Sequence, residues 1–415
     1  MVAVSTMRPT LMPNPNPADA THFPKILFVH DYRPEARVLT DLMRQLFLGY
    51  PTEKIHWWHC RETALYDKPD LRAASLHGLC MSEKMVPHVR WTKIKSTLLE
   101  NFWAPRAARH LERTIAEVQP DLIWLLLFGW TIPVVERTRF PAGARIHASL
   151  CDMPDTNGMK RILGDARSRR FMRTAIRLVG QAESCSGGGH GMVEEMHRRT
   201  GRKDGLVVHS GFEPHHLAAL ENAPAEPAPD GTIRIAYVGT IISESDFLEM
   251  LAALKKIRPQ APQKIALEFF GGRNYRSRAW FEPDWMTEHG LFTDDGLVEA
   301  LRRCAWGVVV MDPSGEDLQY SRFSFPNKVG TCLSAGVPVL GFGHPTSSLG
   351  HIMQAHRLGR FTAATTRDDM EKFWLESLRL PSPRAAFRDD ILRCARTEFD
   401  AAAMRAKLWR LWGAH

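Results

Sequence analysis

The stretch FSFPNKVGTCLSAGVPVLGFG, from Phe323 to Gly343, opens a short helix of small residues with a proline. It then turns tightly at Gly336-Val337-Pro338 and enters an apolar strand. Pro326 suits a first helical position, where its missing N–H leaves no bond unmade. The N–H groups of Asn327, Lys328 and Val329 are then expected to be free at the helix start, with a lysine among them. Together with Ser324 they read as a place for a diphosphate. Ser334, Ala335 and Gly336 let the helix approach the sheet, and packing alone accounts for them.

Upstream of this stretch the pattern alternates. TIRIAYVGT reads as a strand ending at Gly239, followed by a helix with Leu248, Leu251, Leu254 and Ile257 on one face and Ser243 or Ser245 as its N-cap. KIALEFFGG is a second strand, DDGLVEALRRC a helix with acidic residues at its positive end, and AWGVVVMDP a third strand. The same alternation fills the first half: strands at Ile26 to Val29, KIHWWHC, Leu122 and ARIHASLCDMP, a helix over Ala104 to Val118, and a glycine cluster in AESCSGGGHGMVEEM before GLVVHSGFEP. Strands alternating with helices over such distances predict an α/β chain with two Rossmann-like, doubly wound parallel-sheet domains facing a cleft.

The expected organisation is a loose, proline-punctuated tail over 1–23, a first domain over 24–218, a proline-rich linker over 219–231 and a second domain over 232–395. A C-terminal helix over 396–415 is expected to pack back on the first domain. The length of 415 residues suits two or three domains. The longest apolar run, LIWLLLFGW at Leu122 to Trp130, is too short to span a bilayer, and no signal peptide is expected. The seven cysteines are scattered with no zinc-like spacing, which suits reduced thiols, no metal and a cytoplasmic location.

Lys and Arg number 54 against 46 Asp and Glu, a net charge of +8. The excess gathers in Lys160 to Arg177 and His197 to Gly205, which suits a solvated helix face or an anionic partner such as lipid, nucleic acid or a phosphorylated substrate. No recognised nucleic-acid motif accompanies these runs, so nucleic acid is the weaker reading. An anionic membrane surface, with the protein peripheral at the inner face, fits them better.

In open parallel sheets ligands sit beyond the carboxyl ends of the strands, which singles out Gly239-Thr240, Gly271-Gly272 and Ser324 to Lys328. The series VGT…GLF…DDGLVEALRRCAWGVVVMDPSG…FSFPNKVGTCLSAGVPVLGFG resembles the carboxyl-terminal half of GT-B glycosyltransferases of the family 4 (group 1) kind, close to an "FPSK" branch. AESCSGGGHGMVEEM…VVHSGFEP is similar to the segment that ends their first domain.

The resemblance implies an enzyme with no cofactor beyond a nucleotide-sugar donor as substrate. Gly239 and Thr240 would lie against the donor diphosphate and His289, Gly290 and Leu291 would receive the base. Lys328 would face the phosphates. Tyr32, Arg33 and Arg37 would border the acceptor, and Asp152 with His147 would stand near the transferred sugar. The acceptor would be a glycan, a lipid-linked saccharide or a small molecule. Transfer with retention, the hydroxyl proton passing to the phosphate, needs no side-chain base; with inversion, Asp152 or His147 would act as base.

Two glutamates usual in such chains are replaced here by Phe323 and Thr331, and GTIISESD lacks the usual basic residue. These departures keep two other readings open: a non-catalytic anion or nucleic-acid binding protein, and a nucleotide-sugar epimerase of the same architecture.

Overall fold

The computed structural model describes residues 22–34, 40–61, 72–81, 92–155, 160, 163–224, 230–292, 294–313 and 318–414. Its strands form two sheets in which every pairing is parallel. The first has seven strands: β1 (Ile26–His30), β2 (Ile55–His59), β3 (Ser75–Gly78), β4 (Leu122–Leu126), β5 (Ile146–Leu150), β6 (Ser184–Gly187) and β7 (Leu206–Val207). Their spatial order is β3-β2-β1-β4-β5-β6-β7. The second has β8 (Thr232–Val238), β9 (Lys264–Phe270), β10 (Met286–Glu288), β11 (Trp306–Met311), β12 (Val339–Gly343) and β13 (Gly359–Thr362), ordered β10-β9-β8-β11-β12-β13. The order reverses between β1 and β4 and again between β8 and β11, and at such reversals the connecting loops diverge and leave a crevice.

The physical reason for this layering is visible strand by strand. Every residue of Ile26–His30, Leu122–Leu126 and Trp306–Met311 is buried. Such unbroken apolar runs need helices on both faces, and that requires parallel strands joined by helical crossovers. The helix Glu244–Ile257 supplies Phe247, Met250, Leu251 and Leu254 to the second core. Its cap is Ser243, which donates to Asp246 Oδ2 at 2.5 Å.

The chain returns to its beginning at the end. The helix Ala401–Trp412 lays Met404, Leu408, Trp409 and Trp412 on the outer core of the first sheet, with Phe28, Phe47 and Trp124. Trp409 Nε1 donates to the Leu46 carbonyl at 2.9 Å. Phe212 pairs with Asp400 in an isolated parallel bridge, donating to the Phe399 carbonyl and accepting from the Ala401 N–H, and Arg405 forms a buried ion pair with Glu213 at 2.8 Å. A helix, Pro214–Glu221, occupies the beginning of the stretch that composition assigns to a linker. Among the described residues no helix is long and apolar enough to cross a membrane.

Candidate active-site cleft

A cavity of about 560 Å³ separates the carboxyl ends of the two sheets. The first lobe contributes Cys151 and Asp152 after β5, Gly188 after β6 and His209 to Phe212 after β7; the second contributes Ser324, Phe325, Asn327, Gly330 and Thr331. Glycines set the approach of the lobes. A Cβ on Gly191 would lie 2.6 Å from the Arg322 carbonyl oxygen, and one on Gly189 would lie 3.5 Å from Phe325 Cβ. The Gly189 distance is ordinary contact, whereas at Gly191 only a residue without a side chain lets the helix His190–Thr200 touch the helix Leu318–Phe323.

Two contacts bridge the cavity floor. Ser324 Oγ donates to Asp152 Oδ1 at 3.1 Å, and the His209 ring stacks on Phe325 with centroids 4.1 Å apart and planes 2° from parallel. Burial pushes the Asp152 carboxyl above its ordinary range and the Ser324 hydrogen bond opposes that shift. Burial likewise lowers His209, against the opposing bond to the Ser210 carbonyl. His209 and Phe325 were not among the expected site residues. The signal available was an aromatic residue in each of two turns, VVHSG after β7 and FSFPN between the helices Leu318–Phe323 and Asn327–Ser334, which sequence alone does not bring together.

The opening stretch forms the helix Asn327–Ser334, with Pro326 at its cap rather than inside it. The expectation of three free amides is corrected. The Asn327 N–H bonds to the Phe325 carbonyl at 3.0 Å and the Val329 N–H to Pro326 at 2.8 Å, because the entry turn is tight enough to close short-range bonds. Val329 itself is fully buried in the second core. Asn327 and Thr331 face the cavity, and Thr331 Oγ1 returns to the Asn327 carbonyl at 3.2 Å.

Lys328 leaves the other side of the same turn. Its ammonium lies 4.6 Å from the centroid of the Tyr237 ring, donates to Tyr237 Oη at 3.2 Å, and donates to the Thr240 carbonyl. Burial lowers its pKa to about 8. Around it the other positions expected to hold a donor converge. Gly239 takes φ +75°, and Gly271 at φ +151° packs where a Cβ would lie 3.2 Å from Gly239 Cα. The Gly271 N–H bonds to the Gly290 carbonyl at 2.8 Å, and Gly272 abuts Leu291. His289 stacks on Phe270 at 4.8 Å and sets Nε2 3.1 Å from Glu268 Oε2. Arg273, absent from the expected set, donates from Nε to Thr240 Oγ1 at 3.4 Å. It puts a cation beside the loop whose own sequence has none.

These residues form a rim on the second lobe rather than lining the cavity itself, so the expected donor positions divide into two adjoining groups. Ser324, Asn327 and Thr331 line the cavity, whereas Gly239, Thr240, Gly271, Gly272, His289, Gly290, Leu291 and Lys328 stand outside its lining.

His147 is a correction. Its ring is enclosed in β5, with Nδ1 2.8 Å from Ser184 Oγ, Nε2 3.0 Å from Ser186 Oγ, and Trp124 and Trp412 edge-on. Burial pushes it down to about 3, and it reaches neither the cavity nor solvent. It is a satisfied core histidine.

Tyr32 and Arg33 lie after β1, outside the residues lining the cavity, with Tyr32 Oη accepting from Arg61 at 2.6 Å; Arg37 falls outside the described residues. Asp31 holds that turn by accepting from the N–H groups of Trp130 and Thr131 at 3.2 and 2.8 Å. Phe323, at one of the two replaced glutamate positions, belongs to the core of the first lobe and cements the lobes together. Among the described residues no cluster of three or more His, Cys, Asp or Glu suits a metal ion.

Compared by sequence, the chain matches no protein-family model and no curated protein. Compared by structure, it is similar over 94% of its length to all of Anabaena HepE in complex with UDP, with TM-score 0.65 and 11% identity. It is also similar to the UDP-forming trehalose-phosphate synthase of Burkholderia xenovorans in complex with glucose-6-phosphate, covering 94% of this chain and 99% of that one with TM-score 0.63 and 12% identity. Sucrose-phosphate synthase from Thermosynechococcus elongatus matches at TM-score 0.63 and 12% identity over 94% and 98% of the two chains. The architecture is therefore the GT-B fold of two Rossmann-like lobes about a cleft.

Proposed function

We propose that the protein is a glycosyltransferase that moves a sugar from a nucleotide-sugar donor on its second lobe to a glycan, lipid-linked or small-molecule acceptor held by the first. The observation that carries this reading is Lys328, a cation fixed at the mouth of β8 beside two positive-φ glycines and Arg273. An ammonium has three donors, and two of those on Lys328 are engaged, so one remains for a phosphate oxygen. The similar HepE structures hold UDP and UDP-glucose, which supports a nucleotide sugar as the ligand here.

As the bond between the anomeric carbon and the diphosphate breaks, negative charge develops on the leaving oxygen. Lys328 and Arg273 would stabilise it without a metal ion. In retaining transfer the acceptor hydroxyl attacks on the face the diphosphate vacates, forms the new C–O bond, and passes its proton to the departing phosphate. Asp152, which lines the cavity from the first lobe, would meet the sugar. Thr331 offers a ribose hydroxyl a neutral partner in place of a carboxylate.

The test is a thermal-shift screen of UDP, GDP, ADP and their sugars, followed by detection of released nucleotide in the presence of acceptor. A stabilising donor whose effect disappears in Lys328→Ala supports the reading. A donor shift unchanged in that variant moves the site elsewhere, and release that needs no acceptor and converts only the donor sugar favours an epimerase.

A further inference from the structure

The basic runs that composition singles out are paired in part in the fold. Arg137, Arg167 and Arg170 surround the buried Glu100, Arg198 and Arg199 hold Glu195, and Arg202 holds Asp204. Lys93, Lys95, Arg106, Arg109 and Arg113 form no ion pair among the described residues and share the continuous helical rod Thr92–Leu98, Leu99–Trp103 and Ala104–Val118 of the first lobe.

Three large apolar side chains stand out on this rod. Ile94 is 52% exposed, Leu98 40% and Phe102 60%. A four-residue spacing drifts around an α-helix of 3.6 residues per turn, but Leu99–Trp103 is a π-helical turn, whose wider winding brings Phe102 back over Ile94. The three therefore form one straight stripe. Lys93 and Lys95 leave the helix about 100° to either side of Ile94. Arg106 follows Phe102 by one turn, and Arg109 and Arg113 continue along the exposed side of the rod. Ser96 and Glu100, on the opposite side, are buried.

We propose that this rod lies on an anionic lipid bilayer, with Ile94, Leu98 and Phe102 entering the boundary between headgroups and acyl chains and with Lys93, Lys95, Arg106, Arg109 and Arg113 on the headgroups. The choice of a bilayer rests on charge complementarity. Cations on both flanks of one apolar ridge match a plane that is apolar below and uniformly negative above, and lysine stems bury their methylenes while the ammonium stays at the surface. A second copy of this chain would bring the same five cations against themselves. The inference does not depend on the proposed glycosyl transfer.

The test is co-sedimentation of the full chain with vesicles of phosphatidylcholine alone and of phosphatidylcholine with about 30% phosphatidylglycerol. Binding is expected to the anionic vesicles, weaker at high salt, and lowered on the order of tenfold in Ile94→Ser/Leu98→Ser/Phe102→Ser and in Lys93→Glu/Lys95→Glu/Arg109→Glu. Both variants alter exposed residues, and an unchanged melting temperature verifies that they fold. The proposal is overturned if the full chain stays in solution with anionic vesicles at low salt, if the apolar triple variant binds like the parent, or if light scattering shows a dimer that the triple variant dissolves without any vesicle binding. Nucleotide-dependent thermal shifts, measured in parallel, report on the donor site separately.

Discussion

Ser324 of the second lobe and Asp152 of the first share one hydrogen bond across the cleft, at 3.1 Å. The bond ties a carboxyl whose pKa is raised by burial to the segment that leads into Asn327 and Lys328. Removing the Ser324 hydroxyl removes the one influence that lowers that pKa. Ser324→Ala is therefore expected to move the pH dependence of any Asp152-linked step to higher pH, read from nucleotide release across a pH series. Asp152→Asn is expected to lower transfer, by about a hundredfold or more where transfer inverts and Asp152 acts as its base. Because the folded-state pKa of Asp152 is raised, ionising it costs stability as pH rises, so Asp152→Asn should melt at or above the parent at neutral pH and lose that advantage in acid. A neutral-pH melting point well below the parent would contradict this account of the site.

Lys328 makes a second prediction with a definite sign. Its pKa is lowered to about 8, so the unfolded chain binds a proton that the folded chain releases between that value and the ordinary 10.5. Stability of the unliganded protein should rise over that interval, relative to Lys328→Met, which lacks the effect. Diphosphate binding needs the charged form and should weaken as pH climbs through about 8. Calorimetric titration with a nucleoside diphosphate at a series of pH values checks both, and affinity that stays flat in the parent would remove Lys328 from the phosphate site.

What the sequence carries and what it hides follow from burial. The strands around Ile26, Leu122 and Trp306 were legible because both of their faces are covered, which demands an unbroken apolar run. The edge strands β3 (SLHG), β10 (MTE) and β13 (GRFT) were not, since short, partly exposed strands at a sheet margin need no such pattern. Positions at strand ends could be named, but not the direction of their side chains. Asn327 and Lys328 are neighbours, yet one faces the cavity and the other the Gly239 loop. His147 looked like a site residue because nothing in its own strand shows that Ser184 and Ser186 of the next strand enclose it.

The third prediction concerns the contact between the lobes. Gly191→Ala would press a methyl against the Arg322 carbonyl at 2.6 Å, where backbone must move. Overpacking of this kind costs about 1–3 kcal/mol, and relief by separating the lobes would also draw Ser324 from Asp152. The expected outcome is a lower melting temperature together with weaker donor-induced stabilisation. Gly180→Ala is the control: its methyl meets Thr200 at an ordinary 3.7 Å within the helix Asp165–Gln181, so it should leave stability unchanged or raise it by roughly 0.5–1 kcal/mol. Equal behaviour of the two variants would show that the lobes do not rely on the Gly191 contact.

The last prediction lies at the crossing into the C-terminal helix. Glu398 sits between two histidines, with His190 Nε2 of the first lobe 2.9 Å from Oε2 and His356 Nε2 of the second lobe 3.6 Å from Oε1. The His190 hydrogen bond, then that of His356, holds the Glu398 carboxyl well below its usual range, and Glu398 in turn raises His190. A depressed carboxylate contributes stability above its ordinary titration range and loses it as pH falls; a raised histidine contributes below its ordinary 6.5 and loses it as pH rises through the higher folded value. The contact is therefore strongest in mildly acidic solution, between those two limits. His209 and Cys394 also feel the Glu398 charge, and Glu194 adds to the field at His190. Melting curves of the parent and Glu398→Gln should differ most in mildly acidic buffer and converge in alkali as His190 loses its proton. A gap that stays constant from mildly acidic to alkaline pH would mean that Glu398 acts through packing alone, with no protonated histidine at the crossing.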